Sequence, residues 1–120
     1  MTPFGAILKR AVEATPGAIG GAFADSEGEM VDSFAFYDPH EWAVLTAHYG
    51  VVLAQLHSAF GVFHYGGPEF FMVQHTSMGI VVHTVEGGYF VLMAVSDPTR
   101  VTFALSALRA SIGELQKEMA

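Results

Sequence analysis

The sequence predicts an α/β sandwich: one five-stranded, mainly antiparallel sheet with helices on both faces, in the order α-β-β-α-β-β-β-α. Three observations predict it. Every link between successive strands is short, which favours antiparallel pairing. Helical patterns come before, inside and after the strands, so helices can lie on both faces. The run Tyr89-Phe90-Val91-Leu92-Met93-Ala94-Val95 is apolar at odd and even positions alike. Successive strand side chains point to opposite faces, so this strand needs cover on both sides and belongs at the centre.

Each element has its own signal. Thr2-Pro3 places a helix cap before a proline at the first helical position. Phe4, Ile7 or Leu8, and Val12 then form an apolar stripe, closed by Pro16-Gly17. Ala18 to Ala24 reads as a strand, Asp25-Ser26-Glu27-Gly28 as a turn, and Glu29 to Phe36 as the returning strand. Asp38-Pro39-His40-Glu41 is a capping box, starting a helix that runs to about Phe60 with Gly61 placed to end it. Phe70 to Thr76, Ile80 to Val85 and Tyr89 to Ser96 are three further strands. Asp97-Pro98 opens the last helix, whose Val101, Leu105, Leu108, Ile112, Leu115 and Met119 keep one apolar face. No linker, repeat or low-complexity stretch divides residues 1–120, so they read as a single domain.

The chain is 52% hydrophobic and 14% charged, against a usual charged share of about 25%. That imbalance suggests a surface buried in a partner. The net charge is −7, with only Lys9, Arg10, Arg100, Arg109 and Lys117 as cations. Five scattered cations do not make a phosphate-binding stripe, so nucleic acid is not expected as a partner. With no cysteine, neither a disulfide framework nor a thiolate metal site is available. The start, MTPFGAILKRAVEA, lacks a signal-peptide layout, and the chain reads as cytoplasmic and bacterial.

From Trp42 to Pro68 there is no Asp, Glu, Lys or Arg. On a helical wheel Leu45, Tyr49, Val52, Leu56 and Phe60 form a large apolar face suited to the sheet. Ala43, Ala47, Gly50, Ala54 and Ser58 fall opposite, small enough for a second helix to approach closely. A membrane span is long enough here, but two histidines, a glutamine and no basic flank speak against it. A helix wrapped by its own domain is the other alternative; the preferred reading is helix-to-helix dimerisation. The next strand agrees, since no charge occurs between Glu69 and Glu86. A strand over Phe70, Met72, Val73 and Gln74 at a sheet edge lacks the lysines and prolines that block edge pairing. Pairing with its own copy across a two-fold axis would use it.

Pro16 to Phe34, "PGAIGGAFADSEGEMVDSF", resembles the strand-turn-strand signature of the roadblock/dynein light chain superfamily. Glu86 to Arg109 is similar to that family's closing strands and final helix, and the element order matches along nearly the whole chain. The resemblance implies a profilin-like sandwich. It also implies homo- or heterodimers through the middle helix and third strand, with a continuous ten-stranded sheet. It further implies a non-catalytic platform for a Ras-like small GTPase, which in some bacterial members stimulates GTP hydrolysis, or else a light-chain adaptor. No cofactor is implied.

Catalytic patterns are wanting. The sequence contains no phosphate-binding loop, dinucleotide fingerprint, nucleophile elbow or H-E-x-x-H string; Val44 stands where His40-Glu41 would need a second histidine. Asp25 to Gly28 lacks calcium-loop spacing and reads as an acidic turn. His48 and His57 project from opposite flanks of one helix, and His75 and His83 could meet only in a suitable strand register. No metal site and no enzyme are therefore expected. Arg100 and Arg109 lie on the last helix, where the resemblance puts no GTPase contact, so any stimulation should work without an arginine finger. Asp25, Glu27, Glu29 and Asp32 could steer a basic partner. The alternative from another class is a small-ligand sensor with a pocket lined by Phe60, Phe63, Tyr65 and Phe70.

Overall fold

A computed structural model describes residues 2–120. Thr2 caps helix α1 (Pro3–Glu13), its hydroxyl oxygen accepting the Gly5 N–H at 3.2 Å. Strands β1 (Ala18–Ala24) and β2 (Met30–Ala35) form a hairpin, and Asp38 caps α2 (Pro39–Phe60) by accepting the Glu41 N–H at 3.0 Å. Strands β3 (Phe70–Gln74), β4 (Gly79–Thr84) and β5 (Phe90–Val95) follow, and a short 3-10 turn leads into α3 (Val101–Met119). α2 ends at Phe60 as expected, with Gly61 as its C-cap in right-handed backbone; a 3-10 turn follows over Gly61–Phe63, and His64 takes the left-handed conformation at φ 59°.

The sheet order is β2-β1-β5-β4-β3, with every pairing antiparallel. All six residues of β5 are buried, as a central two-faced strand requires. One core lies between the sheet and the α1/α3 layer, built on Leu8, Val12, Phe23, Val91, Met93 and Leu108. The other lies under α2, built on Trp42, Leu53, Ile80, Val82, Phe90 and Leu92. Burying such side chains stabilises the fold by roughly 1.5–3 kcal/mol each.

The orientation of α2 differs from the sequence expectation. Its buried stripe is Trp42, Thr46, Gly50 and Leu53, whereas Val52 and Phe60 are substantially exposed. Trp42 anchors the helix, its indole N–H donating to Gly21 O at 3.3 Å. The buried Thr46 hydroxyl donates to Trp42 O at 2.9 Å, so a polar residue sits in the core satisfied. Gly50 permits close approach: a Cβ there would lie 2.9 Å from Gly28 Cα and 3.3 Å from the Phe90 ring.

Candidate functional site

Among the described residues the β3 edge and the flank of α2 beside it are left uncovered. Thr84 N donates to Glu69 O at 2.9 Å, and His75 N to Met78 O at 2.8 Å. These two bonds fix the ladder phase. Glu69, Phe71, Val73 and His75 turn their backbone groups to β4, while Phe70, Met72 and Gln74 turn theirs outward. Three residues thus present unpaired donors and acceptors on a strand without charge.

Two contacts identify the α2 flank above this edge. The Tyr49 ring stacks on Phe71 at 6.3 Å, and its hydroxyl meets His75 Nε2. Burial pushes the Tyr49 phenol above its ordinary range. The other flank faces the β1–β2 turn: a Cβ on Gly28 would lie 3.3 Å from Ala47 O. Ala54 lines a cleft there with Ser26 and Gly88. The small-residue stripe is therefore not the flank above the β3 edge. Gly50 is buried inside the chain, Ala43 is half-buried, Ala47 and Ala54 lie toward the hairpin turn, and Ser58 is exposed. The flank above β3 carries Leu45, His48, Tyr49, Val52 and Leu56, and beyond it Val51 is 56% exposed. The wheel was right that one large face and one small face exist. Of the large face, Leu45 and Tyr49 do pack on the sheet core, whereas Val52 and Phe60 are turned out, and the fully buried line is Trp42, Thr46, Gly50 and Leu53 at helical spacing.

The histidines do not gather. His83 lies opposite Phe70 in the ladder and stacks on it at 5.9 Å, with Nδ1 2.8 Å from Thr84 O. His75 is taken by Tyr49, and His48 Nδ1 lies 2.9 Å from Val44 O. Among the described residues no three histidine, aspartate or glutamate side chains come together as a metal site. Among them, too, no helix is long and apolar enough to cross a membrane. The four aromatics of the expected ligand pocket do not enclose one: Phe70 stacks on His83, whereas Phe60 and the mutually stacked Phe63 and Tyr65 are exposed.

The arginines are engaged locally. Arg10 pairs with Glu114, Arg100 lies 3.8 Å from Asp97 and over the Phe103 ring, and Arg109 lies 4.7 Å over the Phe70 ring. In the acidic hairpin, Asp25 Oδ1 accepts the N–H groups of Glu27 and Glu29, which makes a self-satisfied turn. Asp32 accepts the Thr2 hydroxyl and the Ser33 N–H. Partial burial raises its pKa, but those bonds, with backbone donors of Thr2 and Gly5, outweigh burial and lower it.

No protein-family model matches the chain, and no curated protein does. Solved structures do. A Roadblock/LC7 domain from Streptomyces avermitilis superposes with TM-score 0.83 at 14% identity, over 95% of each chain. MglB of Myxococcus xanthus gives TM-score 0.86 at 12% identity, over 99% of this chain and 96% of that one. Profilin II of Acanthamoeba castellanii gives TM-score 0.54 at 12% identity, over 97% and 98%. At these identities the likeness is one of shape, and the shape is specific: the chain has the roadblock/LC7-type fold, a profilin-like α/β sandwich.

Proposed function

We propose that this chain is a non-catalytic regulator or adaptor of a Ras-like small GTPase, working as a homodimer. The observation that carries the reading is the unpaired, charge-free β3 edge beside the uncharged flank of α2, on a roadblock-type fold. Two β3 edges pair antiparallel through the outward groups of Phe70, Met72 and Gln74, giving a ten-stranded sheet. Val73 and Phe71 lie on the α2 face of that seam. The helix half of the interface is Leu45, His48, Val52 and Leu56, which replaces the small stripe suggested by the wheel.

The paired platform offers a GTPase a surface without nucleotide chemistry of its own. Each arginine already has a partner within the chain, which supports stimulation by repositioning the GTPase's own residues, or docking alone, over insertion of a finger. The test is to mix the protein with Ras-like GTPases from the same genome, loaded with GDP or a GTP analogue. Preferential capture of the GTP-loaded form is expected, because switch loops differ between nucleotide states. If hydrolysis rises, Arg10→Ala, Arg100→Ala and Arg109→Ala should each keep most of the stimulation. Loss of roughly 10³-fold in one of them would reveal a finger and overturn the mechanism. Capture of no GTPase would overturn the functional reading.

A further inference from the structure

We propose that the aromatic link after α2 is a strap that clasps a second copy of the chain, seating Phe63 and Tyr65 against the groove at the start of that copy's α2. The inference rests on the dimer reading above and adds a contact that strand pairing does not require.

The strap is apolar and open. Phe60, Val62, Phe63 and Tyr65 are 43%, 69%, 58% and 90% exposed. The Phe63 and Tyr65 rings are already stacked, 6.4 Å apart and 10° from parallel. The left-handed backbone of His64 sets the bend between them. An exposed aromatic cluster of this kind marks a contact surface. Its complement lies at the other end of α2, a groove of about 610 Å³ walled by Tyr37, His40, Glu41, Val44, Leu45, His48 and Tyr49. The two surfaces cannot meet within one chain. His40 and Phe63 lie at opposite ends of the helix, roughly 35 Å apart at about 1.5 Å per residue.

Symmetry brings them together. An antiparallel β3 pair places its two-fold axis perpendicular to the sheet, and such an axis reverses every direction within the sheet plane. The two α2 helices therefore run antiparallel. Tyr49 lies over Phe71 and His75, and His57 lies over Gly67, where a Cβ would come 2.1 Å from its Nδ1. Helix and strand thus pass each other with the middle of β3, Met72, beside the turn that holds Val52. With the axis there, Phe60 lies eight residues beyond the crossing and Val44 eight before it. Phe60 of one copy then faces Val44 of the other, and Phe63 and Tyr65 face the turn of Pro39 to Glu41. The strap carries no formal charge, and Glu41 is the one Asp, Glu, Lys or Arg among the residues that line the groove. The groove's His40, on the turn that Tyr65 faces, offers a polar partner to the Tyr65 hydroxyl.

The absence of cysteine makes disulfide trapping clean. Phe63→Cys and His40→Cys proteins would be mixed, sized under reducing conditions by sedimentation, and then oxidised. Phe60→Cys mixed with Val44→Cys is the second pair. Each substitution is at an exposed position. A disulfide needs Cα atoms roughly 4.4–6.8 Å apart, so only a contact between copies can form either bond. Dimers that cross-link in both mixtures are the expected result. Dimers that cross-link in neither would overturn the strap and leave the dimer standing. Monomers in the reduced sample would overturn the dimer reading, and the strap with it.

Discussion

Gly50 and Asp32 each turn a local contact into a property of the fold. At Gly50 the helix backbone comes so near the hairpin turn that a methyl group would strike the Gly28 backbone. Alanine gains up to about 1 kcal/mol of helix propensity, but overpacking against backbone costs about 1–3 kcal/mol. Gly50→Ala is therefore expected to lower stability by about 1 kcal/mol in urea unfolding; an unchanged or raised midpoint would contradict the packing described. Asp32 ties β2 to the start of α1 through Thr2, with its pKa held below the ordinary 3.8. A depressed carboxylate contributes stability above its unfolded pKa and loses it as pH falls through the folded one. The wild type should thus lose more stability than Asp32→Asn between pH 5 and the acid side of pH 3. Parallel pH profiles would show that the hydrogen bonds to Asp32 do not contribute.

At the scale of elements, the sequence was clear where caps and periodicity agree and silent where tertiary packing decides. Thr2 and Asp38 cap their helices as expected, and strand boundaries fall within two residues of the sequence reading. The two-faced β5 run places that strand at the centre. The rotation of α2 was not legible, because a helix apolar on every side has no dominant moment to orient it. One indole hydrogen bond and one missing side chain set its angle instead. The end of α2 at Phe60 was legible from Gly61, but the 3-10 turn that follows it and the left-handed backbone at His64 were not. The same rotation changes which helix substitution tests the interface. Val52→Arg, on the flank above β3, is expected to dissociate the dimer in sedimentation while leaving the thermal midpoint of the monomer fold nearly unchanged. Ala47→Arg, beside the hairpin turn, should leave the dimer largely intact. The reverse order of effects would return the interface to the small-residue flank.

Across the whole molecule, the sheet has two edges that end differently. At β2, Asp32 accepts the N–H of Ser33, an outward group by the phase of the Phe36 N to Ile19 O bond, and acidic residues crowd the neighbouring turn. At β3 nothing among the described residues caps the outward groups. A net charge of −7 per chain disfavours association in general, so a dimer must be held by an apolar, hydrogen-bonded seam. Amide hydrogen exchange reads that seam most directly. Among the described residues the N–H groups of Phe70, Met72 and Gln74 have no partner, and Ala35 on the opposite edge serves as an open control. If two copies pair through β3, the three β3 amides should exchange as slowly as those of β4 and at least tenfold slower than Ala35. Exchange at the rate of Ala35, in a protein whose β4 and β5 amides are protected, would mean that the edge is free and that no continuous sheet forms.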